Sequence, residues 1–410
     1  MTDGEVRQED AQPQDPQSQD PRAEDAGTPP ASGSSAAPAP PSAPRAGRLP
    51  ADLVGLGRRT LAASETWTLL ALVILVVFFT VKAPGKFFTL TDFSLMGQDA
   101  AWLLVMAVGE TFVILTAGID LSVGSVLVLA GVVADLFCLH HGGAGAGWGT
   151  IAIGSLLGLG TGLGWGAMQG FLVAKAKVQP LIVTLAGFYA AGEGVSYLIT
   201  NGADLRTVPN RLVNTIGLGS VVGIPWLIVI SFAIAIVGGL VLAYTRFGRY
   251  TYAIGSNPEA ARRAGIPVDR HLIKIYALAG LLAGVGGILS LASFDSTTIA
   301  GHSFDNLEVI TAVVLGGASL FGGRGTMLGT VIGLAISTVL VEGLVIIGEN
   351  IYWQQVAIGA VLVAAVYLDQ LRRRQRGGSR ARWAGLQLRR FGGPRPDSGR
   401  AAGGHIAQEE

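Results

Sequence analysis

Long apolar segments separated by short polar connections dominate the chain between residues 66 and 369. Each segment comes close to the roughly 20 residues that a helix needs to cross a bilayer. The pattern therefore predicts an all-α integral membrane protein of about ten transmembrane helices, some of them broken or re-entrant. The expected spans are 66–83, 101–118, 124–140, 149–172, 180–199, 224–244, 272–292, 305–323, 326–347 and 351–369. The segment 305–323 is the weakest, because it is short and begins with three polar residues, so it could be a re-entrant piece.

Basic residues concentrate in every second connection. They are Arg45, Arg48, Arg58, Arg59, Lys175, Lys177, Arg246, Arg249, Arg262, Arg263, Arg270, Arg324, Arg372, Arg373, Arg374 and Arg376. Since basic residues mark cytoplasmic loops, we expect a multi-pass protein of the plasma or inner membrane with both termini in the cytoplasm.

Four tryptophans begin spans on the opposite, outer side: Trp102, Trp148, Trp226 and Trp353. This placement indicates an interfacial aromatic belt. The alternative is that they are scattered packing residues.

One polar, glycine-containing segment interrupts two apolar ones. It is Thr116–Ser125, with the sequence TAGIDLSVGS. Such backbone either turns the chain at the membrane face or breaks a helix beside a protected cavity. Asp120, Ser122 and Ser125 could simply cap the following helix. Our hypothesis is that the backbone breaks here and helps to gate a pathway.

The composition supports a membrane protein and excludes several other classes. Half of the residues are hydrophobic, only 14% are charged, and 59 of the 410 are glycine; small residues allow close helix packing in membranes. The net charge of +1 gives no reason to expect a nucleic-acid partner. The chain contains no Walker A sequence, HExxH, CxxC or nucleophile elbow, so covalent catalysis is not expected.

The polar ends differ from this apolar domain, which we place at residues 51–371. Residues 1–50 are rich in Pro, Asp and Gln and predict a disordered cytoplasmic tail. Residues 372–410 predict a second, basic, disordered cytoplasmic tail that could contact anionic lipid.

The longest inner connection, residues 246–271, contains signals for a short helix. Asn257 suits the N-cap, Pro258 the first helical position and Gly265 the C-terminal stop. The sequence predicts two helical turns from Pro258 to Ala264, which must pack against something because so short a helix is unstable alone. The loop either lies near anionic lipid or inserts into a partner and transmits motion.

A weak internal repeat is also visible. Val113–Leu115 followed by Gly118 and Gly124 aligns with Val313–Leu315 followed by Gly317 and Gly323. Transporters are often built from two such halves, although chance similarity is a real alternative in a glycine-rich chain.

Four stretches in order resemble the ribose/xylose/arabinose-type permeases of ABC sugar importers, over about residues 65–370. They are Thr116–Ser125 (TAGIDLSVGS), Leu172–Gly187 (LVAKAKVQPLIVTLAG), Arg246–Val268 (RFGRYTYAIGSNPEAARRAGIPV) and Val313–Gly325 (VVLGGASLFGGRG). The resemblance implies a transporter subunit and not an enzyme. It implies a permease homodimer, a cytoplasmic ABC ATPase subunit and an extracytoplasmic sugar-binding protein as partners. No cofactor is expected on this chain; ATP and magnesium are expected on the ATPase.

The resemblance also suggests functional residues. The coupling contact to the ATPase would comprise Asn257, Pro258, Glu259, Ala260, Ala261, Arg262, Arg263 and Gly265. Candidate gating or pathway residues are Asp120, Ser122, Gly124, Ser125, Gln169, Glu193, Asn306 and Glu308. Each of the buried polar residues could instead make only interhelical hydrogen bonds.

The resulting prediction is a permease for a monosaccharide, a pentose or a related hexose. Family members often have Asn where this chain has Gln169, and Arg where Glu193 stands, which leaves the sugar open. An alternative is an ion-coupled secondary transporter of a small polar solute, with intramembrane glutamates carrying protons. A membrane scaffold or receptor is a further alternative, but it would not require broken helices.

Overall fold

The computed structural model describes residues 51–87, 89–350, 352–367 and 370, without the side chains of residues 51–65 and Glu193. Both predicted tails, 1–50 and 372–410, lie outside the described residues. The helices are α1 (Ala51–Lys82), α2 (Leu90–Asp99), α3 (Ala101–Leu115), α4 (Val123–His140), α5 (Trp148–Ala174), α6 (Pro180–Phe188), α7 (Tyr197–Thr200), α8 (Asn210–Leu212), α9 (Trp226–Tyr244), α10 (Arg246–Ser256), α11 (Pro258–Arg263), α12 (Val268–Phe294), α13 (Asp305–Leu315), α14 (Met327–Ile346) and α15 (Tyr352–Tyr367).

Short irregular elements complete the described chain. A 3₁₀ turn covers Gly143–Gly145, and π-helical segments cover Tyr189–Ser196 and Val213–Gly217. Two strands, β1 (Ser220–Val221) and β2 (Ile224–Pro225), form an antiparallel hairpin in the register Ser220↔Pro225.

The helical, membrane-spanning fold expected from the sequence is confirmed. Six described helices are long and apolar enough to cross a bilayer, and a seventh span results if α2 and α3, bent by 49°, count as one. The two shorter apolar helices, Thr66–Lys82 and Tyr352–Tyr367, coincide with the first and last expected spans.

The expected span 305–323 needs correction. Helix α13 ends at Leu315, so its 11 residues extend only about 16 Å, roughly half of a hydrocarbon core. The helix ends there because Gly317 adopts a left-handed φ of 93°, and its amide donates back to the Val314 carbonyl at 2.9 Å.

Helix α3 forms the centre of the bundle, since every one of its residues is buried. Trp102, at its start, is only 6% exposed, and its indole N–H donates to Asp305 at 3.1 Å. Its predicted place in an interfacial belt is therefore wrong, whereas Trp148 and Trp353 are about half exposed.

Glycines explain how the long helices approach each other. On α5, a Cβ at Gly158 would lie 2.6 Å from the Ala130 carbonyl oxygen of α4, and one at Gly162 would overlap the Gly280 carbonyl oxygen of α12. These residues, together with Gly154 and Gly166, recur every four positions on one face. The small-residue stripe thus holds α5 in backbone contact with both neighbours.

Helices α3 and α13, which contain the start of the weak sequence repeat, end in the same way, although the equivalent residues after Leu115 and Leu315 are shifted by one position from the sequence alignment. At the end of α3, Gly118 N donates to Val113 O (3.1 Å); at the end of α13, Ala318 N donates to Val313 O (3.2 Å). Both are Schellman-type ends with a left-handed residue, Ala117 (φ 63°) or Gly317, one position earlier. We call residues 116–122 the first break and residues 316–326 the second break.

Candidate functional site

The first break is buried inside the bundle. Asp120 is 2% exposed and Ser122 is fully buried. The Asp120 amide donates to Glu110 Oε1 at 3.2 Å, and Glu110 lies about 7.5 Å back along α3 from Leu115. The chain therefore turns back along α3 before α4 begins. The segment is therefore enclosed by the bundle and is not an exposed turn.

Asp120 organises the break through its carboxylate. Its Oδ1 accepts from the Ser122 amide at 2.8 Å and from the Ser122 hydroxyl at 2.6 Å. The hydroxyl shares a further contact with Gln169 of α5, whose Nε2 lies 2.9 Å from Ser122 Oγ. Since Ser122 is the N-cap of α4 but makes no side-chain cap bond, simple capping does not explain these residues.

The second half of the chain also contacts the first break. Asn306, near the start of α13, is 6% exposed and donates from Nδ2 to the Leu121 carbonyl at 2.8 Å. Thr184 of α6 donates to the Ile119 carbonyl at 3.2 Å. Helices α3, α5, α6 and α13 thus all hold this short segment.

Three buried polar atoms around the first break make no hydrogen bond with the described residues: Glu110 Oε2, Tyr276 Oη and Asn306 Oδ1. Leaving such groups unpaired costs about 1–3 kcal/mol each. These three atoms are therefore available for further hydrogen bonds beside the first break.

The second break packs against the end of α3 and the start of the first break, and α10 contacts both regions. The Gly323 amide donates to the Leu115 carbonyl at 2.8 Å. Gly255 of α10 lies against the same carbonyl, and a Cβ there would overlap that oxygen and come within 2.5 Å of Gly323 N. The Tyr252 hydroxyl of α10 donates to the Gly325 carbonyl at 2.7 Å. Movement of α10 would therefore press directly on the end of α3, next to the first break, and on the second break.

Helix α11 follows α10 and has the predicted form. The Asn257 side chain accepts from the Ala260 amide at 2.9 Å, and Ile266 N donates to Ala261 O at 3.0 Å past a left-handed Gly265 (φ 81°). Ala261 is buried against Ile254 and Val268. The predicted two-turn helix is confirmed.

The rest of α11 faces outwards. Pro258, Glu259, Ala260, Arg262 and Arg263 are all exposed.

One aspartate fastens α11 to its surroundings. Asp269, at the start of α12, lies 3.2 Å from Arg262, 2.9 Å from Lys177 and 3.6 Å from Lys175. These exposed pairs contribute little energy individually. They connect α11 to the loop between α5 and α6, the element that also leads to Thr184.

The other predicted pathway residues do not take part in the hydrogen bonds of the first break. Gly124 and Ser125 begin α4, and a Cβ on Gly124 would lie 2.7 Å from the His302 carbonyl. Glu308 is half-buried on α13, two residues and about 200° around the helix from Asn306, so it faces away from the first break. The Glu193 backbone belongs to the π-helical segment Tyr189–Ser196. The structure does not describe its side chain.

Sequence reasoning missed two contributors, Tyr276 and His302. It included Glu110 only among the intramembrane glutamates of the ion-coupled alternative. An ionisable or hydroxyl-bearing residue within an otherwise apolar span was the available signal. Among the described residues, no group of His, Cys, Asp and Glu could hold a metal ion.

Comparison with known proteins gives the family. Residues 97–366 match the model of the family described as "branched-chain amino acid transport system / permease component". The chain is 37% identical over 308 residues to the ribose import permease protein RbsC of Escherichia coli (strain K12), covering 74% of this chain and 93% of the relative.

Two further relatives carry different sugar names. The fructose import permease protein FrcC of Rhizobium meliloti is 35% identical (74% of this chain, 84% of the relative). The D-allose transport system permease protein AlsC of Escherichia coli (strain K12) is 32% identical (74% and 91%). No solved structure matches.

The resemblance drawn from the four sequence stretches is thereby confirmed. The relatives are named as permeases of import or transport systems and not as enzymes. The chain belongs to the ABC importer permease family as a multi-pass membrane transporter subunit.

Proposed function

We propose that this chain is the transmembrane subunit of an ABC importer that moves a monosaccharide, a pentose or a related hexose, into the cytoplasm. A separate ATPase subunit supplies the energy, and an extracytoplasmic sugar-binding protein delivers the sugar. Two copies of the chain form the translocation unit, with both termini on the cytoplasmic side. ATP and magnesium bind the ATPase, and this chain binds neither.

The observation that carries the proposal is the physical connection between exposed α11 and the buried first break. Helix α11 presents Glu259, Arg262 and Arg263 to its surroundings. Helix α10, directly before it, contacts the Leu115 carbonyl through Gly255. A partner that displaces α11 would therefore act on the end of α3, directly before the first break, through backbone contacts, which resist compression.

The substrate class follows from the relatives' names, which give ribose, fructose and allose. All three are monosaccharides rich in hydroxyl groups.

The test is co-purification of the ATPase from native membranes under mild detergent. Arg263 is exposed and makes no ion pair with the described residues, so Arg263→Glu should reverse the local charge without disturbing the Asp269 cluster. Arg211→Glu, on the predicted outer side, is the matched control. We expect an ATPase with the unchanged chain and with Arg211→Glu, and at least a tenfold loss with Arg263→Glu.

Two results would refute the docking role: no ATPase accompanying the unchanged chain, or equal recovery with both variants. A second candidate, ion-coupled transport, is favoured by one observation only, namely the adjacent buried carboxylates of Glu110 and Asp120. Uptake that depends on a proton gradient and does not require ATP would support this alternative.

A further inference from the structure

Asp135 is a buried acid without a partner at the end of the bundle opposite α11. It lies near the C-terminal end of α4 and is 1% exposed. Both of its carboxylate oxygens are buried, and neither makes a hydrogen bond with the described residues. An unpaired charge in such surroundings is costly. The carboxylate therefore needs a positive ion or a proton.

A small cavity adjoins this carboxylate. It measures about 10 Å³ and is partly open to the surroundings, which leaves room for about one water-sized particle. Ser155 of α5 and Cys138 of α4 line it with Asp135, and the rest of its lining is apolar. The two helices are in backbone contact here, since a Cβ on Gly154 would lie 2.7 Å from the Ala134 carbonyl oxygen. The cavity is therefore fixed in size and admits only a small particle.

The surroundings of the cavity favour positive charge. Asp295 lies close enough to Asp135 to repel its charge. It is also the C-cap of α12, where the last carbonyl groups of a helix carry a partial negative charge. No basic residue of the described chain forms an ion pair with either aspartate. A small cation would thus be attracted by two carboxylates and a helix end.

The available donor atoms suit a monovalent cation. A transition metal would need a group of His, Cys, Asp or Glu ligands, and the described residues bring no such group together. Calcium takes about six to eight oxygen ligands, whereas the side chains at this cavity offer one carboxylate and one hydroxyl. A proton on Asp135 would have no acceptor among the described residues and would leave the cavity unused.

We propose that Asp135 and Ser155 bind one sodium ion at the end of the permease opposite α11, the expected outer side. The carboxylate oxygens of Asp135 and the hydroxyl of Ser155 are the protein ligands, and water from the open side completes the coordination. The ion neutralises the buried charge and joins α4 to α5. The inference goes beyond the proposed function, since this ion stabilises the permease and takes no part in transport.

The test is sodium binding to the purified full-length chain in detergent at neutral pH. Radioactive ²²Na⁺ should bind at about one ion per chain. Thermal unfolding, followed by tryptophan fluorescence, should move upwards by roughly 2 °C or more when about 200 mM sodium chloride is added, because the ion binds only the folded chain. Potassium chloride and choline chloride at the same ionic strength should not produce this shift, since both cations are larger.

Matched variants locate the ion. Asp135→Asn keeps the size of the side chain and removes its charge, so it should abolish both ²²Na⁺ binding and the sodium-dependent shift. Ser155→Ala removes one ligand and should weaken binding at least threefold. Asp99→Asn, at an exposed aspartate that ends α2, is the control and should bind sodium as the unchanged chain does.

Three results would overturn the site. They are no ²²Na⁺ binding by the unchanged chain, an equal thermal shift with potassium or choline, and binding that persists in Asp135→Asn. The first two need no variant to fold. A midpoint that changes with pH and not with sodium would show that a proton neutralises Asp135, and would equally refute the sodium site.

Discussion

Replacing Asp120 tests whether the first break works as a gate. In Asp120→Ala, the Ser122 amide loses its acceptor at 2.8 Å, while the Ser122 hydroxyl keeps Gln169. An orphaned buried amide costs about 1–3 kcal/mol, which would shift an equilibrium between two states of the break by roughly 5-fold to 150-fold. We therefore expect sugar uptake to fall at least fivefold at an unchanged amount of protein in the membrane.

Two companion variants make this prediction specific. Asp120→Asn keeps an oxygen acceptor and should recover a substantial part of the uptake. Asp92→Ala removes another aspartate, which completes the capping box of α2 with Thr89, at a cost of about 1 kcal/mol, and should leave uptake near normal.

The assay is initial uptake of radiolabelled D-ribose, D-fructose and D-allose in cells that contain the partner subunits, normalised to the permease in the membrane. Normal uptake by Asp120→Ala would refute the gating argument. An equal loss in Asp92→Ala would show that the effect is general destabilisation.

Three further predictions concern the connections around the break. Gly255→Ala should reduce uptake at least fivefold with the ATPase still bound, because overpacking costs about 1–3 kcal/mol. Gly164→Ala, with open space at its Cβ, should be neutral, and equal uptake by both variants would contradict the proposed action of α10 on the breaks. Gln169→Ala should reduce uptake about two- to threefold, in line with about 0.6 kcal/mol for an interhelical hydrogen bond; a complete loss would instead indicate a direct contact with the sugar. Asp269→Asn should lower the free energy of unfolding in detergent by no more than about 1 kcal/mol, and the difference should disappear at 1 M salt. A larger loss that does not depend on salt would contradict the view that these exposed ion pairs contribute little energy.

Local signals in the sequence were sufficient for α11. Its N-cap, first-turn proline and C-terminal glycine act within a few residues of one another, so they specify Pro258–Arg263 without help from distant contacts. The same reasoning found the break after α3, because Gly118 and Asp120 disrupt an apolar pattern.

The depth and partners of the break depend on distant contacts. Ser122 meets Gln169 from 47 residues away, and Leu121 meets Asn306 from 185 residues away. No periodicity encodes such pairs. For the same reason Trp102 was assigned to the interface, although its indole N–H donates inside the bundle to Asp305, which is far away in the sequence.

Hydropathy also failed to show where α13 ends. Residues 316–323 remain mostly small or apolar, so the pattern continues after the helix has stopped. The π-helical segment Tyr189–Ser196 left no signal for the same reason, since an extra residue per turn does not alter composition.

The energy source is the most direct test of the central claim. The permease and its co-purified partners are reconstituted in proteoliposomes, and uptake of D-ribose, D-fructose and D-allose is measured with ATP at the cytoplasmic face or with an imposed proton gradient alone. We predict uptake of at least one sugar that requires ATP and magnesium and is lost in Arg263→Glu. Uptake driven by the proton gradient without ATP would contradict the account and establish the ion-coupled alternative.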